Sequence, residues 1–164
     1  MKTTIIRTIT RESPLYPDRM EPLRGMPRAL YIIGELPDKD VPSVAVVGAR
    51  MCSGYGRDTA YSIGSFLGRY GISVISGMAV GIDGYAQTGA LDAGGKSYAV
   101  LASGPDVCYP VTNADLYDRI RMHGGIISEH PEGTKPLGPY FPSDRKSTRL
   151  NSSHPTTSRM PSSA

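Results

Sequence analysis

A chain of 164 residues with 39% hydrophobic content is the size of one domain and has enough apolar material for a core. No apolar run approaches the roughly 20 residues that cross a bilayer, and the N-terminus MKTTIIRTITRES lacks the apolar stretch and cleavage site of a secretory signal. Cys52 and Cys108 form neither a CxxC pair nor a disulfide framework, and His123, His130 and His154 have no metal-ligand spacing, so a reducing cytoplasm is expected, with no metal, cofactor or membrane. The net charge of +3 is misleading: residues 1–144 hold 14 Lys and Arg against 15 Asp and Glu, or −1, while the last 20 residues hold four basic residues and no acid, or +4. Any nucleic-acid binding has to come from local clusters rather than from the overall charge.

In chain order, residues 1–42 read as a lead-in of turns, a short helix and a short strand at Leu30 to Ile33, with Pro37 and Pro42 marking a linker. Val44 to Val47 is an uninterrupted small and β-branched run, which predicts a central strand buried on both faces. A helix follows from about Tyr55 to Tyr70, with Ile63, Phe66, Leu67 and Tyr70 at helical spacing and Gly71 as its C-terminal cap. Ile72 to Ser76 is the second strand, Ile82 to Ala93 the second helix, and Ser97 to Leu101 the third strand. Asn113 is placed to cap a third helix ending near Met122, and Gly125 to Ser128 is the fourth strand. This alternation predicts an α/β fold: a Rossmann-like parallel sheet with helices on both faces.

Ligands of such sheets bind beyond the carboxyl ends of the strands, which here are Gly48-Ala49-Arg50, Gly77 to Asp83, Ala102-Ser103-Gly104 and Glu129-His130. A glycine turn opening a helix leaves main-chain N–H groups for a phosphate, and Arg50 adds a planar cation. The same Gly48 also serves a plain tight turn. Neither G-x-G-x-x-G nor G-x-x-x-x-G-K-[ST] is present, so a dinucleotide or Walker-type site is not supported. Asp83 would repel a phosphate, and its expected job is to cap the helix or bond loop N–H groups. Tyr109-Pro110 suits loop packing or, alternatively, base stacking.

The strings VAVVGAR, YGR, SGMAVGIDGYAQTGALDAGG, AVLASGPDVCYP and ISEHPEGTKPLGPYFP, with LYIIGEL before them, resemble in order the motifs of the DNA-processing protein A family (DprA, also called Smf) over about residues 14–142. The resemblance implies a cytoplasmic, Rossmann-like single-stranded DNA-binding protein that protects incoming DNA and loads the RecA recombinase in natural transformation, that forms homodimers at full length, and that is not an enzyme. By position, it assigns DNA contact to Gly48, Ala49 and Arg50, to Ser76, Gly77, Ala79, Gly81, Ile82 and Asp83, to Gly104, and to Phe141 of the aromatic-Pro element. Two departures stand out. Gln87 occupies the place of the family's usual His, and the Arg-Asn-Arg run expected after Pro142 is replaced by SDRKSTRLNSSHPTTSRMPSSA.

That ending holds seven Ser, three Thr and two Pro in 22 residues, too little apolar surface to offset ordering. Residues 143–164 are therefore expected to be disordered and foreign to the fold, leaving residues 43–142 as a partial domain with the C-terminal part of the fold missing. The rival reading is a nucleotide-binding module or a nucleoside-monophosphate phosphoribohydrolase of the lysine-decarboxylase-like group. His130-Pro131-Glu132-Gly133-Thr134 lacks that group's glycine pair and downstream acid.

Overall fold

The computed structural model describes residues 5–20 and 25–138. Six strands, β1 (Arg7–Thr10), β2 (Ala29–Gly34), β3 (Ser43–Ala45), β4 (Ser73–Ser76), β5 (Ser97–Leu101) and β6 (Gly124–Ser128), form one sheet in the order β1-β2-β6-β5-β4-β3. The block from β3 to β6 is parallel, as the alternation of strands and helices requires. Antiparallel β2 and β1 extend it on the other side, so the sheet is mixed. The lead-in thus contributes a strand, β1, in addition to the expected one at Leu30 to Ile33.

Helices α1 (Gly54–Arg69), α2 (Ile82–Asp92) and α3 (Ala114–Met122) lie within a residue or so of their predicted bounds. Ser53 caps α1 by accepting the Gly56 N–H at 3.1 Å, and Gly71 after its end takes φ +69°. Asn113 does not cap α3. Its amide instead donates to the Met78 carbonyl at 2.9 Å, tying α3 to the loop after β4.

Core residues of all three helices meet one face of the sheet. Leu116, Tyr117 and Ile120 of α3 and Leu91 of α2 pack with Ala99, Leu101 and Ile126, and Ala60, Leu67, Ala86 and Ala90 of α1 and α2 pack with Val74. The opposite face carries Ile32, Tyr98 and Ile127, covered by Tyr16, by Met20 of a 3-10 turn over Asp18–Met20, and by Leu36.

Besides the Asn113 cap, the expected helices on both faces are corrected, since all three α-helices pack on one face and the lead-in covers the other, and two more expectations change. The strand expected at Val44 to Val47 is not central: among the described residues β3 is the last strand in the order, and Val44 is 39% exposed where burial on both faces was expected. An apolar run fixes only what a strand wants to bury, whereas its place in the sheet follows from the crossovers. Within α1, the packed stripe is Ala60, Gly64, Leu67 and Gly68, while Ile63, Phe66 and Tyr70 stay exposed. The reason is close approach: a Cβ on Gly64 would lie 1.9 Å from the Ala86 carbonyl oxygen, so α1 meets α2 backbone to backbone and larger side chains are turned outward.

Candidate nucleic-acid interface

The carboxyl ends of β3 and β4 are joined by one side chain. Asp83, in the first turn of α2 and 4% exposed, accepts the Gly48 N–H on Oδ1 at 3.1 Å and the Gly77 N–H on Oδ2 at 3.2 Å. Its expected loop-bonding role is what the geometry shows, and it overturns the companion idea that these N–H groups are open to a phosphate. A buried carboxylate that receives two main-chain donors is satisfied, and the donors are spent on it.

The same weld continues through the neighbouring residues. The Ile82 N–H donates to the Ala49 carbonyl at 3.2 Å, and the Ile82 side chain fills the space where a Cβ on Gly48 would stand, 2.7 Å away. Gly81 has φ +92°, and a Cβ there would come within 2.3 Å of the Ala49 carbonyl oxygen and 2.5 Å of that of Arg50. Only glycine meets both demands. The result is a 48–50 loop pressed onto the start of α2, with the Arg50 residue exposed on its outside.

The other assigned residues have different surroundings. Ser76 is buried, and its hydroxyl donates to the Val46 carbonyl at 2.6 Å, fastening β4 to the chain after β3. Ala79 is half-buried and accepts the Gly84 N–H at 3.1 Å. Met78, fully buried with φ 57°, is a strained position between them that no sequence pattern announced, since a non-glycine residue rarely turns this way. Gly104 is buried against the turn at residues 131–134: its N–H donates to the Thr134 carbonyl at 2.8 Å, and Asp106 beside it accepts the Gly133 N–H. Gly104 therefore belongs to a second loop pairing and offers no free donor. Phe141 lies outside the described residues, as do Pro142 and the segment 143–164.

Gln87 is fully buried between α2 and β5, donating from Nε2 to the Ser97 hydroxyl at 3.2 Å and the Tyr98 carbonyl at 3.0 Å. It keeps a polar contact, as expected, and that contact is internal to the core.

A family model described as DNA recombination-mediator protein A matches residues 7–146. The chain is 34% identical to Protein Smf of Synechocystis sp. over 82% of its own length and 35% of that protein's. It is 37% identical to the DNA processing protein DprA of Streptococcus pneumoniae over 77% of its own length and 45% of that protein's. The X-ray structure of the Streptococcus pneumoniae DprA superposes with a TM-score of 0.77 at 34% identity, covering 84% of this chain and 48% of the other. A second structure, titled for the unique single-stranded DNA binding mode of DNA processing protein A from Helicobacter pylori, superposes with a TM-score of 0.73 at 26% identity over 83% of this chain and 60% of that one. The chain thus spans a third to a half of the length of the curated relatives it matches, and with its motifs, its sheet and these matches in agreement, it belongs to the DNA recombination-mediator protein A family, the DprA/Smf proteins.

Proposed function

We propose that this chain binds single-stranded DNA at the carboxyl ends of β3 and β4, with Arg50 as its leading contact and without catalysis. The observation that carries the reading is the fixed 48–50 loop: Asp83, Ile82 and Gly81 hold its main chain, so the guanidinium starts from an ordered base. With the Gly48 and Gly77 N–H groups taken by Asp83, phosphate recognition falls to side chains, and Arg can grip phosphate oxygens with two N–H groups at once. The single-stranded DNA binding named for the Helicobacter pylori relative supports the same choice. Recombinase loading onto bound DNA, with RecA as partner and a homodimer as the acting form of the longer protein, completes the proposal.

A non-catalytic role is supported by how the acids at the strand ends are used. Both Asp83 oxygens accept main-chain N–H groups, and so do both Asp106 oxygens, from Gly133 at 2.9 and 3.1 Å. Burial pushes the Cys108 thiol above its ordinary value, away from nucleophilic thiolate.

The test is oligonucleotide binding by fluorescence anisotropy across a salt series. Arg50→Ala should weaken binding by about 10- to 100-fold and reduce the magnitude of the log–log salt slope by about 0.7, with the melting temperature unchanged. Parental affinity and slope in a folded Arg50→Ala protein would reject Arg50. Release of free base from a nucleoside monophosphate, lost on changing Glu129 or Glu132, would instead favour the hydrolase.

A further inference from the structure

Arg50 stands in apolar surroundings. The loops after β3 and β4, residues 48–53 and 77–81, contain no cation besides Arg50. They expose apolar side chains instead: Met51 is 95% and Val80 48% exposed. Met51 follows Arg50, and Val80 adjoins Gly81, which is pressed on the Arg50 carbonyl, so the two apolar groups flank the contact between the loops. A site that held phosphates alone would collect Lys and Arg here, whereas exposed apolar surface beside a cation suits the faces of nucleic-acid bases.

Tyr85 of α2 stands one helical turn after Gly81, and its N–H donates to the Gly81 carbonyl at 3.1 Å. A helical side chain leans over the turn before its own Cα, which directs the Tyr85 ring toward the Arg50 loop, and the residue is 38% exposed. Helix α1 begins at the same place, since a Cβ on Gly56 would lie 3.4 Å from both Cys52 and Ile82. Its Arg57 leans back toward Gly54, bonds Asp58 through Nε at 2.9 Å and lies beside the Tyr85 hydroxyl. Asp58 foremost, and then Tyr85, raise the guanidinium above its ordinary value. With Asp58 opposing its charge, Arg57 offers a phosphate little net attraction, and what it can do is fix the tyrosine ring. Tyr55, also in the first turn of α1, instead lines a shallow groove with Ser62 and Phe66.

We infer that Tyr85 is a base-stacking residue of the single-strand site: a base of the bound strand lies on its ring, Met51 and Val80 border that base, and Arg57 positions the ring through its hydroxyl. The inference deepens the Arg50 reading and rests on it. Arg50 grips the backbone while Tyr85 holds a base, the combination by which single strands are bound with little sequence preference. Every base has a π face, so the contact accepts any of them but requires that a base be present.

Tryptophan supplies the test, because the chain contains none. In a Tyr85→Trp variant of the full chain, indole emission should be quenched by oligothymidylate and not by an abasic strand of equal length, since only a base can stack on the ring. A Tyr55→Trp control should keep its emission with both. Tyr85→Ala should weaken oligothymidylate binding by about 5- to 100-fold with an unchanged log–log salt slope, because no charge is removed. Circular dichroism and the melting temperature check its fold. Tyr85→Phe and Arg57→Ala should cost similar small factors, and together no more than either, as one shared contact requires. Equal quenching by the abasic strand or at position 55 would overturn the stacking role, as would parental affinity or a lower salt slope in Tyr85→Ala. Additive losses in the double variant would overturn the positioning role of Arg57. A folded parent that binds no oligonucleotide would reject the Arg50 reading and this one with it, whereas binding through Arg50 with no response at position 85 would reject this inference alone.

Discussion

The two sides of α1 are built on opposite rules. Toward α2 it presents Ala60, Gly64 and Gly68, so small that the backbones touch, whereas Ile63, Phe66 and Tyr70 remain exposed. Hydrophobicity alone would have reversed the two. Burial here is decided by how closely two helices approach, and an interior packed to crystal density rewards fit before apolar area. The fastened side extends to the strand-end loops that Asp83 ties.

The strongest way to break this contrast is to put bulk on the close side. Gly64→Ala must displace the Ala86 carbonyl, and we expect a loss of about 3 kcal/mol or more, read as a lowered urea midpoint. A Gly64→Ala protein as stable as the parent would show that the two helices have room to part. Next in size is Asp83→Ala, which leaves the Gly48 and Gly77 N–H groups without their acceptor. About 2 kcal/mol is expected from two orphaned donors, together with weaker oligonucleotide binding, since the Arg50 loop loses its anchor. Unchanged stability but tighter DNA binding would mean that Asp83 acts only as a repelling charge.

The smallest effect belongs to Asp92, which joins the three helices at their solvent side. Its carboxylate accepts from Arg119 of α3 at 2.6 Å and from the Tyr61 hydroxyl of α1 at 2.8 Å. Those two hydrogen bonds, Arg119 first, hold its carboxyl below the ordinary carboxylate range. A group depressed in the folded state contributes stability above its unfolded pKa and loses it as pH falls through the lowered value. The pair is more than a third exposed, so its worth is under about 1 kcal/mol. Between neutral pH and pH about 3, the parent should therefore lose slightly more stability than Asp92→Asn. Equal losses in the two proteins would remove this clasp from the account.

Local chemistry made much of the fold legible. β-branched runs, glycine stops and the Ser53 cap act within a few residues, and helices α1 and α2 and strands β4, β5 and β6 fall close to where those signals put them. The motif order points to the family, and a carboxylate in a first helical turn has main-chain donors beside it, so Asp83 is expected to cap the helix or bond loop N–H groups, of which the structure shows the second.

What the sequence determined by itself was therefore the order and type of the strands and α-helices from β2 onward, though not β1, and the family they belong to, since each depends on contacts a few residues long or on the motif series itself. Only the tertiary structure decided that β3 is last in the sheet among the described residues, that Gly64 rather than Phe66 faces the core, that Gly48 and Gly77 spend their N–H groups on Asp83, and that Gly104 closes on the 131–134 turn. Each of these joins residues distant in the chain, and such contacts depend on how crossovers stack helices and strands, a quantity that no local periodicity records.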